Sequence, residues 1–204
     1  KEYLPGSEEK KFLLEEYNNQ SNKKIEIPII IGGERILTGD IGHCIAPHNH
    51  KKVLASYHKA DKETVDKAIK NSLDAWKDWS NTKIEERTTI FRKAATLLAG
   101  KWRNRINAAT MLNQSKNAHQ AEIDAACELI DFFNLNSSFA ENINSKQDLI
   151  SPNDTKNYLE YRPLEGFVFA IAPFNFTSIA GNLPSAPALM GNVSLWKPAS
   201  SAIL

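Results

Sequence analysis

The sequence predicts an α/β chain: a run of amphipathic helices followed by one βαβ unit of an open parallel sheet. Three observations carry that expectation. Apolar residues recur at helical spacing from Asp61 to Phe139. Two short, continuously apolar runs, Gly166–Ala172 and Gly191–Trp196, have the pattern of parallel strands buried on both faces. The stretch between them, Ser178 to Met190, reads as a helical or irregular crossover broken by Pro184 and Pro187. A strand, a crossover and a second strand make the first step of a doubly wound sheet of the nucleotide-binding kind.

The elements follow in order. Residues 7–19 read as a short surface helix. Ile25 to Ile31 is a β-rich run closed by Gly32-Gly33, a hairpin signal. Lys52 to His58 is extended and leads into Asp61, a good N-cap. The first helix carries Val65, Ile69, Leu73 and Trp76 on one face. The second opens at Thr82-Lys-Ile-Glu85, a capping-box pattern, with Ile90, Ala94, Leu97 and Leu98 as its apolar face; the pattern resumes through Trp102, Ile106 and Ala109. The third runs from near Asn117 to Phe139 with a stripe of Ile123, Ala126, Cys127, Ile130 and Phe133. Ser151-Pro152-Asn153-Asp154 marks a turn, and Tyr158 to Arg162 is a short strand candidate.

Bulk properties narrow the function. The 204 residues are 42% hydrophobic and 24% charged, with a net charge of +1, an ordinary globular composition. That balance predicts neither a nucleic-acid nor an anionic-membrane partner. Lys, Asp or Asn interrupts every apolar run before it reaches the length of a membrane-spanning helix. The polar start, Lys1-Glu-Tyr-Leu-Pro-Gly, is unlike a secretory signal. Two cysteines, Cys44 and Cys127, make no disulfide framework and point to a reducing compartment: the cytoplasm in a bacterium, the mitochondrial matrix in a eukaryote. Cys44, His48 and His50 lack a fourth ligand, and Pro47-His-Asn-His reads as a loop, so no metal site is expected. A single βαβ unit leaves a sheet edge and its faces uncovered, so a domain interrupted near Leu204 is expected.

The segment Arg162-Pro-Leu-Glu-Gly-Phe-Val-Phe-Ala-Ile-Ala-Pro-Phe-Asn-Phe-Thr-Ser resembles the aldehyde dehydrogenase pattern of a Pro-Leu-Gly-Val-type strand followed by Pro-Trp-Asn-Phe. Ala186-Pro-Ala-Leu-Met-Gly-Asn-Val-Ser-Leu-Trp-Lys-Pro-Ala-Ser is similar to the family's Ala-Pro-Ala-Leu, Gly-Asn and Lys-Pro signature. Phe174 in place of Trp, Glu165 before Gly166, and Trp196 before Lys197 look like the Δ1-pyrroline-5-carboxylate (glutamate semialdehyde) dehydrogenase branch. Gln120-Ala-Glu-Ile-Asp-Ala-Ala-Cys-Glu-Leu-Ile-Asp-Phe-Phe and Ala46-Pro-His-Asn-His-Lys-Lys-Val-Leu support that branch. The resemblance is tightest over residues 158–199 and loosest before residue 40.

That resemblance implies the N-terminal part of an aldehyde dehydrogenase fold. It divides the chain into an N-terminal helix and β-hairpin segment (1–60), a helical part of the NAD-binding domain (61–143), a loop and strand of the oligomerisation region (144–162), and the first βαβ of a Rossmann-like domain (163–204). It implies a homo-oligomer, NAD as cofactor, and oxidation of glutamate semialdehyde to glutamate in proline breakdown. Asn175 then corresponds to the residue that holds the oxyanion when a thiol adds to an aldehyde. Taken alone, it would be a turn-forming Asn. Lys197, at a strand end, corresponds to a ribose-binding lysine; a lone lysine there would otherwise be solvated. Ile171, Ala172, Pro173, Phe174 and Pro198 would line the cofactor groove. Ser200 stands where many members have an acidic residue facing the ribose, so NADP is not excluded.

Glu122 is a separate candidate. At about 100° per residue it falls inside the apolar arc of its helix, with Asp124, Glu128 and Asp131 on the opposite side. A carboxylate on a buried face needs a partner. The alternatives are a substrate pocket, where Phe174 would also lie, and a structural arginine. Cys127 reads as an inert core cysteine, and neither cysteine has the Gly-Gln-x-Cys context of the family nucleophile. The nucleophile and a Glu general base are therefore expected beyond Leu204. Two other readings stand beside this one: a dehydrogenase for a different semialdehyde, and a folded fragment without activity of its own.

Overall fold

A computed structural model describes residues 1–204. Ser7 caps α1 (Glu8–Asn22), its hydroxyl accepting from the Lys10 amide. The β-rich run divides at Pro28 into β1 (Ile25–Ile27) and β2 (Ile29–Ile31). Proline has no N–H to continue a ladder, so the halves join different partners. β2 pairs with β3 (Glu34–Ile36) across Gly32-Gly33, both at positive φ, as a two-residue type I′ hairpin requires. β1 runs parallel to β5 (Asn49–His58), which pairs antiparallel with β4 (Ile41–Ala46). The sequence expectation missed β4 and the start of β5; Pro47-His48 is the turn of their hairpin. Cys44, Ala46, Leu54 and Ala55 of this sheet bury with Leu112.

Asp61 caps α2 (Lys62–Trp79) as expected. None of its residues is fully buried, and it docks through two indole donors, Trp76 to the Leu164 carbonyl and Trp79 to the Ala188 carbonyl. α3 (Ile84–Ala99) starts after Lys83 without a side-chain cap. The expected capping box does not form, because the Thr82 hydroxyl turns back to the Asp78 carbonyl. The expected face of α3 also shifts: Arg87, Thr88, Phe91 and Ala95 face inward, whereas Ile90 and Leu97 are exposed. Arg87 decides that rotation. Its buried guanidinium donates to the carbonyls of Thr82 and Leu189, an anchor that outweighs burial of either aliphatic side chain.

The third predicted helix is three pieces. Asn117 and Gln120 form a capping box at α5 (Ala118–Ala121). A π-helical turn, Glu122–Cys127, follows and passes into α6 (Glu128–Ser145). The wider turn breaks the 100° rule, so the faces drift from expectation. Ile123 is exposed, whereas Asp124 and Glu128 are partly buried and hydrogen-bonded; only Asp131 is solvated as predicted. α6 packs on α3 through Phe91 and Phe133, 5.6 Å apart, and through the Arg92–Glu141 ion pair.

Residues 146–167 form neither helix nor strand. The strand expected at 158–162 is absent because no neighbouring strand pairs with it; the Gln147 side-chain amide meets the Leu159 N–H and carbonyl instead, and Tyr158, Leu159 and Tyr161 are exposed. The βαβ unit is present: β6 (Val168–Ile171), α7 (Thr177–Leu189) and β7 (Ser194–Lys197), with β6 parallel to β7. Its crossover is one continuous helix with both prolines inside, correcting the expected break. Side-chain donors crowd its C-terminal half: Ser185 on Gly181, Ser194 on Pro184 and Asn192 on Pro187. β6 is covered on one face only. Ala170 is buried, whereas Phe169 and Ile171 are exposed, because α7 is the helix packed on β6 and it covers one face.

Gly191 ends the crossover at φ +90°, and a Cβ there would come within 2.6 Å of Pro163 Cγ. Gly191→Ala is expected to destabilise the fold by about 2 kcal/mol, from backbone strain and this overlap. A urea unfolding midpoint that does not fall would contradict that packing.

Candidate active site

The two parallel strands end side by side. Ile171 pairs in register with Lys197, and the Ala172 amide donates to the Lys197 carbonyl at 3.0 Å. The chain leaves β6 through Pro173, Phe174, Asn175 and Phe176 and enters α7 at Thr177. Carboxyl ends of neighbouring parallel strands are where open α/β sheets bind ligands. Ile171, Phe174, Asn175 and Lys197 are all exposed there, while Ala172 is buried and Pro173 and Pro198 are half-buried. Neither the Asn175 amide nor the Lys197 ammonium has a hydrogen-bond partner within the chain. Phe174, at 65% exposure, is not core packing in this chain. Ser200 opens a 3₁₀ turn just beyond β7, with its side chain exposed.

The backbone under Asn175 is held from outside. α7 begins without a side-chain N-cap. Lys116, between α4 (Arg103–Gln114) and α5, donates to the Asn175 carbonyl at 2.7 Å and to Asp124 at 2.6 Å. The same ammonium sits 3.9 Å from the Phe176 ring centroid. Thr110 and Gln114 of α4 meet the Thr177 hydroxyl at 2.7 and 2.8 Å. The fully buried Ser178 donates to Glu128 at 2.6 Å. Sequence reasoning missed Lys116, Thr177 and Glu128. Lys116 and Thr177 have their site partners more than fifty residues away in the chain, so no local pattern could signal them. The π turn hid Glu128 by moving its face.

Glu122 belongs to a different cluster. Its carboxylate accepts from the Tyr3 hydroxyl, Asn107 Nδ2, the Lys1 backbone nitrogen and, through an ion pair, Arg103. None of these donors lies on the strand ends. Of its two expected alternatives, the arginine is the one realised. Burial alone would raise its pKa, but the hydrogen bonds from Arg103, the Lys1 amine and Tyr3 outweigh that and hold it at about 2. Burial and the Glu122 charge push the Tyr3 hydroxyl up. Cys127 lies 3.7 Å from Glu122, and burial and that carboxylate raise its thiol pKa. Burial also raises the pKa of Cys44, which donates to Asn113 at 2.9 Å. Both cysteines are thus poor thiolates. His48 meets Ser115 at 2.8 Å, and His50 is exposed.

Known proteins resemble this chain over nearly its whole length. The profile of the aldehyde dehydrogenase family matches residues 38–204. The mitochondrial Delta-1-pyrroline-5-carboxylate dehydrogenase of Dictyostelium discoideum is 46% identical over 202 residues, covering 99% of this chain and 36% of that protein. The human mitochondrial enzyme of the same name is 45% identical over an equal span and share. The crystal structure of the Mycobacterium tuberculosis Delta-pyrroline-5-carboxylate dehydrogenase bound with NAD superposes with a TM-score of 0.96 at 45% identity, over 100% of this chain and 38% of that one. The chain therefore spans little more than a third of the length of these relatives.

A depressed Glu122 pKa means that the folded state favours the carboxylate. Its stabilisation is complete above the ordinary value of 4.5 and is lost as pH falls through that value to about 2. The stake is on the order of 3 kcal/mol. Unfolding measured from pH 7 to pH 2 is expected to steepen below pH 4.5 in the native protein. Glu122→Gln should remove that component, and an unchanged acid limb would refute the ion-pair account.

Proposed function

From the premise that the chain belongs to the aldehyde dehydrogenase family, we propose that it forms one wall of the active site of an enzyme oxidising L-glutamate γ-semialdehyde to L-glutamate. The observation that carries the reading is the pairing of two unpartnered polar side chains, Asn175 and Lys197, at adjacent strand ends. Polar groups held in place yet left without internal partners are available to a ligand.

The residues present suit a dinucleotide. Lys197 offers free N–H donors for ribose hydroxyls, and Ile171, Ala172, Pro173, Phe174 and Pro198 form an apolar wall. Ser200 is neutral, so it repels a ribose phosphate less than a carboxylate would, which leaves NADP open beside NAD. When bound, NAD supplies the two-electron acceptor of the oxidation. Asn175 acts on the substrate. As a thiolate forms a bond to the aldehyde carbon, the carbonyl electron pair moves to oxygen, and the Asn175 amide donates to the oxyanion that develops. The raised thiol pKa values of Cys44 and Cys127 argue against either as that thiolate, so the nucleophile is assigned to the portion of the relatives that this chain does not match. The solvent-facing loop 146–167, with Tyr158 and Tyr161 exposed, fits an oligomer contact. Eukaryotic relatives are named mitochondrial, which supports the mitochondrial matrix as the compartment in a eukaryote; for a bacterium the proposed compartment is the cytoplasm. The role is that of the second step of proline breakdown.

The test uses the full-length gene product and NADH formation with Δ1-pyrroline-5-carboxylate. Turnover is expected to exceed that with succinate semialdehyde, and the reverse preference would defeat the substrate assignment. Asn175→Ala should lower kcat about 10²- to 10³-fold. Lys197→Ala should raise the KM for NAD about tenfold, with little change in kcat, as expected for lost uniform binding.

A further inference from the structure

Resting on the reading of Asn175 as the oxyanion donor, we propose that Lys116 is a positioning residue that locks the Asn175 turn in its working geometry. A donor stabilises a developing charge only if it is already aimed when the charge forms. Asn175 itself is exposed, and its side chain bonds to nothing in the chain. Its turn lies between the end of β6 and a helix that starts without a cap. Such a turn has little internal reason to hold one conformation.

Lys116 supplies the restraint. Its ammonium has three N–H donors, and three acceptors surround it: the Asn175 carbonyl, the Asp124 carboxylate and the face of Phe176. Two of these flank each other in the turn to be fixed. Asp124, on the π turn, balances the charge, and both side chains of the pair are largely buried, at 15% and 20% exposure. Solvent therefore screens the pair weakly. The Thr110–Thr177–Gln114 hydrogen bonds pin the next residue from the same helix end. Asn175 is thereby referenced to α4 and the π turn rather than to its own loop.

The test compares wild type, Lys116→Met and Lys116→Arg in the full-length enzyme. Lys116→Met is expected to lower kcat 10- to 100-fold while KM for aldehyde and NAD changes less than threefold. Lys116→Arg, which keeps a donor for the carbonyl, should recover most of that loss. The double variant Lys116→Met with Asn175→Ala should be no slower than Asn175→Ala alone, because the lysine acts through the asparagine; additive losses would overturn the proposal. Hydrogen exchange of the amides of residues 174–178 reads the restraint without turnover. It should quicken at least tenfold in Lys116→Met, and equal exchange in both proteins would overturn the proposal even in an inactive enzyme. Wild-type turnover judges the function separately. Should Lys116→Met fail to fold, Asp124→Asn loosens the same ammonium, and the same two readouts, smaller in size, decide.

Discussion

The buried Glu122 carboxylate is the constraint around which the helices are arranged. A charge at 3% side-chain exposure is tolerable only with donors on several sides. The carboxylate comes from the π turn and its donors from separate elements: Tyr3 from the N-terminal segment, and Arg103 and Asn107 from α4. Satisfying it brings these elements together. Tyr3 accepts a positive φ of 53° while its hydroxyl donates to Glu122.

α4 passes that order on to the rest. One face carries Ala108 against Leu13 and Tyr3, and Gln20 of α1 donates to the Arg105 carbonyl at 2.9 Å. Leu112 enters the core of the β1–β5–β4 sheet. Thr110 and Gln114 reach Thr177 at the start of α7. The helix that holds the ion pair thus also sets where the βαβ crossover begins. The contrast between the two polar clusters is instructive. Around Glu122 every charge is matched inside the chain, which makes it architecture. At the strand ends Asn175 and Lys197 have anchored backbones and unmatched side chains, which makes them available for chemistry.

The places where sequence and structure part have specific causes. The π turn defeats a 100° count from residue 122 onward, exposing Ile123 and burying part of Glu128. Arg87 rotates α3 away from its most apolar face because a buried guanidinium must reach two carbonyls. α7 keeps two prolines that local rules place at a break, while it packs between α6 and the β6–β7 pair. The expected strand at 158–162 has strand-like residues and no partner strand. For α3 a long-range contact overrides a local preference, and for the 158–162 segment the long-range partner that a strand requires is missing.

By itself the sequence determined the order and kind of most elements, the two apolar strands, and the motif that marks Asn175 and Lys197. The elements depend on periodicity, caps and short spacings, all properties of neighbouring residues; Asn175 and Lys197 are marked by the resemblance of their motifs to the aldehyde dehydrogenase family, since spacing alone reads them as a turn residue and a solvated lysine. Tertiary structure alone decided that Glu122 meets Arg103, that Lys116 holds the Asn175 carbonyl, and that Ile171 and Lys197 lie side by side. Those pairings join residues 19, 59 and 26 positions apart. Which partner a buried charge or a strand end finds depends on how helices and strands pack in space, and chain-local patterns carry no record of that.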